Sequence, residues 1–246
     1  MTELAYMVRE NWGQDGTAMV PQSTIIRDWL GESPYLFAVV DTKEFTPDER
    51  GVDFEAAKFI APDPTTRKAF NIAELATLIR NNEVINHPVM VLHPRDQRSL
   101  ETIREAVESK SVSRLCVLVW SPHDIVRTWL DARGALNLHT GKAMTGPHPL
   151  MIEASKMMIG HQYNGLSSGQ GKDAVIQLLR AFTAEGYPLD ADAWLRAYFA
   201  AGGEFHHADS IEKFVKEMKA GTKHRVKQSY VDNIFEIIEQ RVVSGA

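Results

Sequence analysis

Two short turns carry most of the chemistry-bearing side chains in the first half of this chain: His93–Pro94–Arg95–Asp96 and Ser121–Pro122–His123–Asp124. Each follows an apolar run and precedes a helical pattern, so a strand–Pro–x–Asp–helix unit occurs twice, over Val89–Asp96 and Leu115–Asp124. Asp41 closes a third apolar run, Tyr35–Asp41. In open parallel sheets ligands bind beyond the carboxyl ends of the strands, and all these residues fall on that rim. Acids, two histidines and an arginine together suit proton transfer, a divalent cation or a polar ligand. His93 and His123 are the candidate general acid–bases, with Asp41, Asp96 or Asp124 to orient them or hold a metal. Arg95 and Ser121 are the candidate ligand contacts.

The same turns also read as well-made helix starts. Proline suits a first helical turn, where its missing N–H would be unpaired anyway. The residue before it is pushed extended, which ends the strand. An acid in that turn complements the helix dipole, and Ser121 can cap with Asp124 behind it. None of this requires a ligand.

A second group of side chains is basic. Residues 213–227 contain Lys213, Lys216, Lys219, Lys223, Arg225 and Lys227 against the single acid Glu217. Ile211, Phe214, Val215 and Met218 form an apolar stripe in Ser210–Ala220 that leaves the lysines on the outer side. The alternatives are a solvated face and contact with nucleic-acid phosphates, which would be strongly salt-dependent. The helical patterns Asp192–Ala201 and Ser210–Ala220 invite comparison with a helix-turn-helix. The intervening Gly202–Asp209 is longer than the usual turn of roughly three or four residues.

Other motifs fall short. Glu204, His206, His207 and Asp209 have metal-ligand chemistry, but adjacent histidines seldom converge from a regular element and no H-E-x-x-H occurs; this stretch reads as a polar loop, and no metal site is assigned. Asn164–Lys172 (NGLSSGQGK) is glycine-rich, yet Leu166 stands where a P-loop needs glycine and Asp173 where it needs Ser or Thr. It reads as a helix–helix loop. No G-x-G-x-x-G follows a predicted strand, so a conventional NAD site is not expected, and no G-x-S-x-G elbow is present. The sequence does not identify a cofactor.

The elements that must position these groups follow from hydrophobic patterning. Tyr35–Asp41, Val89–His93 and Arg114–Trp120 are nearly continuous apolar runs, as expected of strands covered on both faces in a parallel sheet. Helical spacing predicts Ser23–Leu30, Phe70–Asn82, Asp96–Ser109 and His123–Ala132. Residues 43–69, with three prolines, are either a flap or an insertion with short elements of its own. Gly and Pro cluster in Gly141–Pro149, and helices are predicted beyond it over Leu150–Gly160, Lys172–Glu185, Asp192–Ala201, Ser210–Ala220 and Val231–Val242. The expected architecture is therefore α/β: a Rossmann-like, three-layer domain with a mostly parallel sheet over 1–145, then an all-helical domain over 146–246.

Composition limits the function classes. The chain has 246 residues, 44% of them hydrophobic, enough for a sizeable core. Its net charge of −5 argues against a surface that binds nucleic acid throughout. No run approaches the ~20 apolar residues of a membrane span, and Met1–Glu10 lacks the basic and apolar regions of a signal peptide. The single cysteine, Cys116, excludes an intrachain disulfide and sits within an apolar run as a small core residue. A cytoplasmic protein is expected. The leading functional expectation is a small polar or phosphorylated ligand at the strand ends, with a helical module for a partner or nucleic acid. The alternatives are a hydrolase- or transferase-type enzyme using the His and Asp residues, and a structural or assembly protein without activity.

Overall fold

The computed structural model describes residues 2–12, 18–31, 34–45 and 51–245. The chain forms two units, Met1–Met144 and Thr145–Ala246. The first holds seven strands among the described residues: β1 (Glu3–Val8), β2 (Tyr35–Val39), β3 (Arg67–Asn71), β4 (Val89–Leu92), β5 (Arg114–Val119), β6 (Leu136–Asn137) and β7 (Lys142–Ala143). They form one sheet in the order β3-β2-β4-β5-β1-β6-β7. Every pairing is parallel except the last, between β6 and β7.

Alternate residues of the central strands face opposite sides, and both sides are covered. Met7, Phe37, Met90, Leu92, Cys116 and Leu118 share one core with Ile26 and Leu30 of α1 (Met19–Leu30) and with Ala57 and Ile60 of α2 (Val52–Ile60). Their neighbours Tyr6, Ala38, Val91, Val117 and Val119 are buried as well. The remaining helices are α3 (Ile72–Arg80), α4 (Gln97–Glu108) and α5 (Ile125–Ala132), with α3 packed on α4. This is the α/β class with a mostly parallel sheet, and its strand–helix alternation is consistent with a Rossmann-like layout.

Four strands have no counterpart in the sequence reading: β1, β3 and the two-residue β6 and β7. β1 is too poor in β-branched residues to stand out, yet it lies between β5 and β6. β3 (RKAFN) is an edge strand of half-exposed residues and shows no apolar run. The stretch 43–69 has elements of its own: among its described residues are α2, the end of a 3₁₀ turn at Thr42–Glu44, a 3₁₀ turn at Pro64–Thr66 and the start of β3; its residues 46–50 lie outside the described residues. Phe70 belongs to β3, so α3 begins two residues after it, behind an Asn71–Glu74 capping box.

The second unit is helical: α6 (Pro149–Gly160), α7 (Gly169–Ala184), α8 (Ala191–Ala200), α9 (Phe205–Lys219) and α10 (Ile234–Ser244). Its core centres on Phe182, whose ring meets those of Tyr187, Trp194 and Phe235 at 5.0–5.2 Å. Helix α7 starts within the glycine-rich stretch. A Cβ on Gly171 would lie 2.0 Å from the Gly165 carbonyl oxygen, so glycine is required there by close backbone approach. Helix α9 starts five residues before Ser210, and the α8–α9 connection shrinks to Ala201–Glu204. No helix among the described residues is long and apolar enough to cross a membrane.

One buried polar network ties β1 to α5. The Tyr6 hydroxyl donates to Asp131 Oδ1 at 2.6 Å, and Arg127 Nη1 donates to Asp131 Oδ2 at 2.6 Å. Tyr6 and Asp131 are both 2% exposed. Burial, with the adjacent Asp131 carboxylate, pushes the phenol pKa up. Tyr6→Phe leaves a buried carboxylate oxygen without its donor, at an expected cost of about 1–3 kcal/mol in urea unfolding. A loss below about 0.5 kcal/mol would show that the carboxylate finds another partner.

Candidate functional site

The connections leaving β2 and β4 diverge. From β2 the chain passes to β3, and from β4 it passes to β5 on the opposite side. Right-handed crossovers then place the two following helices on opposite faces, which opens a crevice between the carboxyl ends of β2 and β4. His93 leaves β4 at this crevice, and Asp53 stands in the first turn of α2, the helix that follows β2. They meet across it: His93 Nδ1 lies 2.6 Å from Asp53 Oδ1.

Sheet hydrogen bonds set the level of the other residues. The His93 amide donates to the Leu118 carbonyl at 3.0 Å, and the Arg9 amide to the Val119 carbonyl at 2.8 Å. Trp120 follows directly, so the ends of β4, β5 and β1 present His93, Trp120 and Arg9 side by side. The His93 ring meets the indole edge-on at 5.0 Å. The guanidinium carbons of Arg9 and Arg95 each lie 4.4 Å from the centroid of the same ring, as cation–π partners. The loop after β1 is fixed from α1: Gln22 accepts from Trp12 Nε1 at 2.6 Å and donates to the Glu10 carbonyl at 3.0 Å.

Three features depart from a satisfied core. His93 is 2% exposed, yet its Nε2 has no hydrogen-bond partner among the described residues, and neither has the buried Arg9 Nη1. Buried polar atoms are paired in the large majority of cases, so two such atoms beside one indole call for an explanation. Burial lowers the pKa of the Arg9 guanidinium and Arg95 adds to that, while Glu55 and Asp53 act against it. His93 also has φ of +42°, a left-handed backbone that costs a side-chain-bearing residue about 1–2 kcal/mol and recurs at functional sites. Pro94, Arg95, Leu100, Trp120, Asp124 and Val126 line a cleft of about 240 Å³ at the same edge, smaller than the ~300–1,000 Å³ usual for drug-sized ligands.

Chemically, Asp53 as a carboxylate only accepts hydrogen bonds, so Nδ1 is the donor of this pair, and in the neutral ring Nε2 is the acceptor. That arrangement orients an imidazole for general acid–base work. The cations supply attraction for an anion.

Of the residues singled out in the sequence, His93 and Arg95 enter this cluster. Asp41 is exposed and caps a 3₁₀ turn, accepting from the Lys43 amide at 2.8 Å. Asp96 caps α4, accepting from the amide and hydroxyl of Ser99. Partial burial raises its pKa, but these hydrogen bonds outweigh that and hold it below the usual carboxylate value. Asp124 accepts from the Ser121 amide at 3.0 Å, and Ser121 Oγ from the His123 amide at 3.2 Å; His123 itself is exposed. These five residues have local turn and capping partners. Cys116 is fully buried, and burial pushes its thiol pKa up. Sequence reasoning missed Asp53, Arg9 and Trp120. The signal available for Arg9 was its place after the short apolar run of β1, and for Asp53 its place in the first turn of α2.

In the second unit, Lys213 and Lys216 pair with Glu217 and Glu212 along α9. Lys219, Lys223, Arg225 and Lys227 are exposed and have no acidic partner within ion-pair distance among the described residues. Exposure alternates from Lys223 to Lys227, with His224 and Val226 turned inward. Arg180 Nη2 holds the segment by donating to the His224 carbonyl at 2.5 Å.

Comparison of the chain with family models, curated proteins and solved structures finds no match.

Long-range ¹H–¹⁵N correlation spectra are expected to show His93 as the Nδ1–H tautomer. Asp53→Asn, which can offer either a donor or an acceptor, removes that preference. A wild-type spectrum dominated by the Nε2–H form would refute the pairing.

Proposed function

We propose that the first unit binds a small anionic ligand, a phosphorylated or carboxylate compound, at the carboxyl edge of its sheet, and that His93 acts on it as a general acid–base oriented by Asp53. The observation that carries this reading is the 2.6 Å His93–Asp53 contact, with Nε2 buried and unpartnered among the described residues beside two guanidinium groups. The ligand's anionic group engages Arg9 and Arg95, and Nε2 takes a proton from a bound water or from the ligand. A hydrolase-type reaction fits best, because the cluster pairs an imidazole able to take a proton from water with two guanidinium groups able to hold an anion. The lone buried cysteine agrees with a reducing, cytoplasmic setting.

Inorganic phosphate or pyrophosphate at millimolar concentration is expected to raise the unfolding temperature, and Arg95→Gln to remove the shift. Turnover of p-nitrophenyl phosphate or acetate is expected to fall about 100-fold or more in His93→Asn. Absence of any anion-dependent shift would sink the binding half. Equal turnover in wild type and variant would sink the catalytic half.

A second reading concerns the other unit, and the exposed strip Lys219, Lys223, Arg225 and Lys227 favours it: contact with nucleic-acid phosphates. The four-residue α8–α9 connection has the length of a helix-turn-helix turn. Two lysines of α9 are nevertheless matched by glutamates, so the extended strip after it is the better contact. A fluorescent single-stranded oligonucleotide is expected to bind at about 50 mM salt and to weaken steeply by about 200 mM. Replacing Lys223, Arg225 and Lys227 with alanine should reduce the slope of log affinity against log salt by about 2. No binding at the lower salt concentration would end this reading.

A further inference from the structure

We infer that Glu204, His206 and His207, at the start of α9, form a site for a divalent transition metal, with Zn²⁺ the best match. One ligand atom from each of the three lies within 4.8 Å of the others. His206 Nδ1 is 3.1 Å from Glu204 Oε2, and the two imidazole rings are 3.7 Å apart at 44°. Adjacent histidines usually diverge in a regular helix, but these two, in the first turn of α9, have their rings in contact, and Glu204 just before them is extended (φ −100°, ψ 147°). That change of backbone direction brings the carboxylate back over the first turn. Asp209 is exposed and stands outside the group.

The frame is built before any ion arrives. The fully buried Tyr198 accepts from the Glu204 amide at 3.1 Å and donates to Gln162 Oε1 at 2.7 Å. Its ring lies over Gly203, where a Cβ would come within 2.2 Å. Glu204 is therefore fixed through its backbone, and His207, 8% exposed, is fixed by burial. Donors around a tetrahedral ion at ~2.0–2.1 Å stand about 3.3–3.4 Å apart. Closing to that spacing takes small rotations of Glu204 and His206, neither of which is buried.

Two imidazoles and one carboxylate suit Zn²⁺, Co²⁺ or Ni²⁺, whereas Mg²⁺ and Ca²⁺ prefer oxygen alone. Three protein donors leave a fourth position to water, as in open zinc sites. The positive end of α9 opposes a cation and the Glu204 carboxylate offsets it, so the expected affinity is micromolar. This site shares no residue with the His93 cluster.

The test uses the full chain without a histidine tag, stripped with EDTA and titrated calorimetrically with ZnCl₂. One equivalent is expected to bind with a dissociation constant of about 10 µM or tighter, with Mg²⁺ giving no signal. His206→Ala and Glu204→Gln, both at incompletely buried positions and checked for fold by circular dichroism, should each weaken binding at least tenfold. Co²⁺ should give visible absorption that His206→Ala abolishes. The inference is overturned if Zn²⁺ gives no binding below about 100 µM, or if both variants bind as the wild type does, which would place the ion at other histidines.

Discussion

Strand β5 is hydrogen-bonded along both edges, to β4 on one side and β1 on the other. Its last two carbonyls, of Leu118 and Val119, receive the amides of His93 and Arg9. A slip of one residue in either ladder would turn every side chain of the slipped strand to the opposite face of the sheet. Register is therefore fixed by the two cores, and the cores in turn fix where the strands stop. The functional cluster inherits its geometry from that arrangement. Asp53 arrives from the far side of the crevice only because β2 and β4 send their connections apart.

What could be read from the sequence follows the same logic. Strands β2, β4 and β5 are buried on both faces, so their apolar runs are continuous and unmistakable. β1 is as deeply buried, but Leu4-Ala5-Tyr6-Met7 carries no β-branched residue and follows the N-terminus without a turn signal. Asp96 and Asp124 announce themselves as helix starts because their partners are local: Asp96 caps Ser99, and Asp124 turns back to the Ser121 amide, each within three residues. The partner of His93 is a tertiary contact between positions forty residues apart, and nothing near either residue encodes it. In the second unit, Phe205, Ala208 and Ile211 already have the spacing of a buried helical stripe. The polar His206, His207 and Asp209 between them conceal it, which is why α9 begins earlier than its lysine-rich half suggests.

The cluster at the sheet edge balances charge without neutralising it locally. Two guanidinium groups approach one indole, and two acids of α2, Asp53 and Glu55, act on Arg9 through space. Arginine is suited to this position, since its planar, weakly hydrated cation stacks on aromatic faces in a way an ammonium does not. Burial shields Arg9 Nη1 and His93 Nε2 from bulk solvent, so an anion entering there meets fields that water does not dilute. The same desolvation makes these buried, unpartnered atoms costly.

Helix α2 is the lightly anchored part of this assembly. Its nine residues bury only Ala56, Ala57 and Ile60, two alanine methyls and one larger side chain, while the sheet below it is locked by continuous parallel ladders. Local opening free energies in proteins range from almost nothing to the global value, and weakly anchored helices lie at the low end. The carboxylate of the pair thus sits on a short surface helix, and the imidazole on a strand locked into the sheet. On the proposed reading, activity at this edge depends on the seating of one short helix, and displacement of that helix would silence the site in a molecule whose sheet remains intact.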